Sequence, residues 1–196
     1  MRKRLSKLLW IGSRVFKMNL NIDLSELEKV FDFDYLETYS FQRGSDYEKI
    51  IQNKEELYHQ FINRSKLKIL SFEENQEMNF LSSHLDSTQF LFDKNNALHF
   101  SAEKIKKFFR NENESKELIK IFKTKTKKIP SWMCAPVYRD AIVFYDRENQ
   151  ITEVLNICFS CEFIQNSSHD FMDTDESVYE SLKKLLLSIG HQIETD

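Results

Sequence analysis

The stretch from Cys134 to Ile164 decides the fold. It reads Cys-Ala-Pro-Val-Tyr-Arg-Asp-Ala-Ile-Val-Phe-Tyr up to Tyr145, continues through Asp146, and reaches Arg147-Glu-Asn-Gln150. From Ile151 it runs Thr-Glu-Val-Leu-Asn-Ile-Cys-Phe-Ser-Cys-Glu-Phe to Ile164. Two β-rich runs, Val137 to Tyr145 and Ile151 to Ile164, flank a tract of turn residues, the pattern of a β-hairpin. In the second run the odd positions are Ile151, Glu153, Leu155, Ile157, Phe159, Cys161 and Phe163. The even positions are Thr152, Val154, Asn156, Cys158, Ser160 and Glu162. A period of two assigns one buried and one wetter face.

A helix follows the hairpin. Asp173 and Glu176 have capping-box spacing, and Val178, Leu182, Leu185, Leu186 and Ile189 make an apolar stripe. Gly190 stands where a left-handed C-cap belongs. This helix is expected on the odd-numbered face of the hairpin. Upstream, Leu24, Leu27, Val30 and Phe31 suggest a short helix, and residues 33–42 an aromatic strand. Residues 46–63 read as a helix, Leu67 to Leu70 as a short strand, and Ser71 with Glu74 as the capping box of another helix. Phe90-Leu91-Phe92 suggests a further short strand. Ile105, Phe108 and Phe109 suggest a helix capped by Ser101, and Leu118, Ile119 and Phe122 one more. The expectation is an α+β fold, with a small, mainly antiparallel sheet centred on the 134–164 hairpin and helices packed mainly on one face. Residues 1–17 form a basic segment that can lie outside the fold, and residues 18–196 a single α+β domain.

Of the 196 residues, 41% are apolar and 30% charged, with 17 Phe, 7 Tyr, 3 Gly and 2 Pro. So many aromatics exclude a disordered chain, and the scarcity of Gly and Pro excludes collagen-like or linker sequence. No apolar run approaches the ~20 residues of a membrane span, so no membrane partner is expected. The apolar stretch Leu8 to Gly12 is shorter than the ~7–15 residues of an export signal. The net charge of −3 is unevenly spread. Residues 1–17 carry six basic side chains and no acid, and residues 102–128 carry ten against four Glu. Such polarity fits an electrostatically steered partner or two solvated faces. Nucleic-acid binding through 1–17 and 102–128 is disfavoured, because helical spacing turns Phe108, Phe109 and Phe122 inward, away from bases.

Three cysteines are too few for a secreted scaffold, and reduced thiols in the cytoplasm are expected. Cys158 and Cys161 form a C-x-x-C, with Cys134 across the hairpin. Packed thiols, a zinc or redox site and a disulfide all remain open. On an intact strand positions i and i+3 point to opposite faces, which separates Cys158 from Cys161. Hairpin pairs summing to 297 would put Cys134 with Cys161, and pairs summing to 296 with Cys158. No cofactor is expected, zinc being the alternative. Arg139 and Asp140 interrupt an apolar run, which fits either an edge-strand pair that blocks aggregation or a surface site. No catalytic residues are assigned: nucleophile-elbow, P-loop, dinucleotide and paired-histidine motifs do not occur.

The run Cys134 to Asp146, with Ile157-Cys-Phe-Ser-Cys161 and a following amphipathic helix, resembles a hairpin found in small bacterial proteins with no assigned activity. The resemblance spans roughly residues 130–190 and implies a shared fold there, but no chemistry. The preferred function is therefore a non-catalytic cytoplasmic interaction or accessory protein whose partner is another protein. A toxin or secretion gene beside it would point to an immunity-type role. A cysteine-based metal or thiol-redox protein is the alternative, and nucleic-acid binding the third. The sequence leaves oligomeric state open.

Overall fold

The computed structural model describes residues 22–85, 90–93, 96–130 and 134–193. The basic segment 1–17 lies outside them. In chain order the elements are β1 (Ile22–Asp23), a 3-10 turn (Leu24–Glu26), α1 (Glu28–Phe31), β2 (Tyr35–Phe41), α2 (Ser45–Ser65) and α3 (Phe72–His84). Then come β3 (Ala102–Phe109), α4 (Asn113–Phe122), β4 (Asp140–Tyr145), β5 (Ile151–Cys158), β6 (Phe163–Asn166), β7 (Met172–Asp173) and α5 (Glu176–Ser188). Five strands make an antiparallel sheet in the order β3-β2-β4-β5-β6, and β1 pairs with β7 in parallel. The fold is α+β, as expected.

The hairpin is the centre of that sheet. Asp146 closes it, its carboxylate accepting from the backbone of Glu148 and Gln150, while Asn149 takes a left-handed φ of 60°. Leu155 and Ile157 face α4 and α5 together with Leu36, Phe108, Ile142, Phe144 and Ile164. That is the odd-numbered face of β5, roofed by Val178, Leu182, Leu185 and Leu186 of α5. The opposite face is not wet. Tyr39, Phe41, Ala141, Val143 and Val154 are sealed there by Leu91, so β5 is buried on both sides from Glu153 to Cys158.

Several local expectations fail. The long run does not continue to Ile164 as one strand: it reverses over 159–162, where Glu162 adopts φ 51°, and returns as β6. Residues 102–109 are a strand rather than a helix, because β2 offers them a free edge along its length. Leu67 to Leu70 form no strand, since Lys66 ends α2 and the Ser71 capping box starts α3 at once. Phe90-Leu91-Phe92 contributes a single bridge, Phe92 to Leu98. The N-cap of α5 is Asp175, not Asp173. Past its end, Gly190 (φ 109°) donates to the Leu187 carbonyl and His191 to that of Leu186, a Schellman turn.

Candidate functional site

The α2–α3 pair is a helical hairpin inserted between β2 and β3, and its helices pack on each other more than on any strand. Phe61, Leu70 and Leu81 are buried within it. At its tip the chain leaves α2 through backbone bonds from Leu67 and Lys68 to the Arg64 carbonyl. Leu70 turns inward, but Leu67 is 88% exposed, Ile69 96% and Phe72 72%. Large apolar side chains this exposed, within six residues of one another, form an apolar patch of the kind found at interaction surfaces. Arg64 and Lys68 both reach Glu74 beside them, and Lys66 adds a further cation to the rim. Midway along α2, the Lys54 ammonium lies 3.4 Å from the centre of the Phe100 ring, and partial burial lowers its pKa. Sequence reading missed the tip: Leu67-Lys68-Ile69-Leu70 has strand-like alternation, and only the capping signal just after it argued against a strand.

The sulfur atoms converge where divergence was expected. Because the chain reverses after Cys158, both Cys158 and Cys161 face one small cluster with Tyr138, packed against Phe90 and Phe163. Cys134 and Cys161 are joined in a disulfide, with Cα atoms 5.9 Å apart, so the thiols are not all reduced. The observed pairs from Asp140–Ile157 to Phe144–Glu153 sum to 297, the register that groups Cys134 with Cys161. Cys158 is the free thiol among the described residues and is buried, 3.4 Å from the Ser160 hydroxyl. No group of three or more His, Cys, Asp or Glu among the described residues is placed to hold a metal ion. In the disulfide form a zinc site would have only the Cys158 sulfur to draw on.

Asp140 is not a surface residue, and β4 is a central strand rather than an edge. Its carboxylate lies 2.7 Å from His191 Nδ1 and 3.0 Å from Arg43 Nη2, and the Ser40 hydroxyl donates to it. Arg43 also donates to the Arg139 carbonyl, so Arg139 contributes backbone rather than its guanidinium. The Schellman turn after α5 is what carries His191 to this position. A cavity of about 380 Å³ opens nearby, lined by Arg43, Tyr47, Glu103 and Gln192 among others.

In the basic segment the strand conformation separates the two phenylalanines. Phe108 enters the core and Phe109 is 49% exposed. Phe109, Tyr35 and Tyr145 stand in one row across β3, β2 and β4, with Lys107 Nζ 3.4 Å from the Tyr35 ring centre. The basic connector after α4 is held in place by Asp175, which accepts from the backbone of Lys127 and Lys128. Among the described residues no helix is long and apolar enough to cross a membrane. No protein-family model, curated protein or solved structure matches the chain.

Proposed function

We propose that the chain is a non-catalytic interaction module that binds another protein through the α2–α3 tip. The observation that carries this reading is the exposure of Leu67, Ile69 and Phe72 together at the tip of a hairpin that buries Phe61, Leu70 and Leu81. Arg64 and Lys68 are already paired with Glu74, so the reading rests on apolar contact, and the partner it implies offers an apolar groove to the tip. A disulfide persists in oxidising surroundings and is transient in the cytoplasm. A cytoplasmic location therefore goes with a Cys134–Cys161 bond that is made and broken. The test is a photo-crosslinking amino acid at position 69 of the full chain, in its own cells. A single protein adduct that is absent when the crosslinker sits at the opposite end of α2, at exposed Glu48, supports the reading. Adducts with no protein, or the same adducts from both positions, refute it.

A second reading has one observation in its favour. Phe109, with Lys107 Nζ 5.3 Å from its ring centre, is the pairing of ring and cation that stacks single-stranded nucleic acid, and of Phe108, Phe109 and Phe122 it alone does not turn inward. Binding of a short oligonucleotide that weakens steeply with salt, and is lost in Phe109→Ala, would favour it over the first.

A further inference from the structure

We propose that Cys134 is a thiol-exchange site, at which an external low-molecular-weight thiol opens the Cys134–Cys161 disulfide without unfolding the chain. Three observations carry this. The two sulfurs differ in access: Cys134 is exposed and Cys161 is 2% exposed. The Cys134 side lacks regular structure, since residues 134–139 lie in no strand or helix, and its sulfur lies 3.8 Å from the neighbouring Ala135 carbonyl. The fold does not depend on the bond for its core, because the main apolar cluster contains neither cysteine. Exposed disulfides are the more labile ones, and here one of the two cysteines is open to solvent while the other is enclosed.

The exchange runs as follows. An external thiolate attacks the Cys134 sulfur, forming a mixed disulfide there as the bond to Cys161 breaks. Cys161 leaves with the electron pair and takes up a proton. A second external thiolate then attacks the external sulfur of the mixed disulfide and releases Cys134 as a thiolate. Two external thiols are oxidised to one disulfide, and one protein disulfide is reduced to two thiols. Opening removes the covalent tie between the 134–137 segment and the β5–β6 turn. The Tyr138 hydroxyl bond to Gln165, and the backbone bond from Arg139 to Ile157, still hold the chain beyond it.

The full chain, oxidised, is incubated with glutathione or dithiothreitol under native conditions, and its thiols are mapped by alkylation and mass spectrometry while circular dichroism follows the fold. Glutathione is expected to leave its adduct on Cys134, and dithiothreitol to release two thiols with the spectrum unchanged. In Cys161→Ser, Cys134 should alkylate at least about tenfold faster than buried Cys158. A bond that opens only when denaturant unfolds the chain, loss of the native spectrum on reduction, or an adduct on Cys158 or Cys161 would overturn the proposal.

Discussion

His191 Nδ1 and Asp140 Oδ1 lie 2.7 Å apart with both side chains out of water. The contact joins the end of α5 to the start of β4, and Arg43 closes it from the end of β2. Removing the carboxylate strands a guanidinium that is only 8% exposed. Breaking a buried pair in this way costs about 3–5 kcal/mol. Asp140→Ala is therefore expected to lower the unfolding free energy obtained from urea titration by that amount, whereas Arg139→Ala, which keeps its backbone bonds, should cost about 1 kcal/mol or less.

Asp175 ties the basic connector to α5. The Ser177 hydroxyl and then the backbone N–H groups of Lys127 and Lys128 hold its carboxyl well below the usual carboxylate range. A depressed folded pKa adds stability above the unfolded value of about 4, and that stability is lost as pH falls toward the folded value. The stability gap between the wild type and Asp175→Asn should be constant above about pH 5 and close below about pH 4. Denaturant titrations from neutral to acid pH would measure it.

Alkali should act through buried phenols. Burial raises the pKa of Tyr39, Tyr138 and Tyr179, with the Glu37 carboxylate adding to the first and Glu162 to the last. A raised folded pKa contributes stability that is complete below the unfolded value of about 10 and declines above it. Tyrosinate absorbance from these residues is expected to appear together with loss of far-ultraviolet ellipticity. Absorbance that rises while the fold is intact would show that these phenols are open to solvent.

The Cys134–Cys161 bond closes a loop over a separation of 27 residues. Restricting the unfolded chain to that extent adds about 2–4 kcal/mol. Cys134→Ser is expected to lose that much in equilibrium unfolding while remaining folded at 25 °C. Cys158→Ala keeps the bond, so its cost is the small buried side chain alone, about 1 kcal/mol.

Much of this architecture is legible in the sequence where the signal is local. The strand at Ile151 to Cys158, the stripe of α5, the Gly190 cap and the Ser71–Glu74 box each read correctly, because each is dictated within a few residues, but the even-numbered face of that strand, expected wetter, is buried too. The misreadings have tertiary causes. In Ala102 to Phe109, apolar residues at helical spacing were overridden by the free edge of β2. The reversal at 159–162 contains no glycine or proline, so nothing in its composition announces Glu162 at φ 51°. The convergence of the sulfurs depends on that reversal. Asp140 was read as an edge or surface charge, since its partners Arg43 and His191 lie far away in sequence.

The account stands most directly on the α2–α3 tip. Leu67→Ser, Ile69→Ser and Phe72→Ser combined remove apolar surface that touches little, so the folded chain should keep its stability to within about 0.5 kcal/mol per site. The decisive measurement is the affinity of wild type and triple variant for the protein crosslinked at position 69. A loss of at least about tenfold, about 1.4 kcal/mol, is expected. Equal affinities in two equally stable proteins would contradict the claim that this tip is the binding surface.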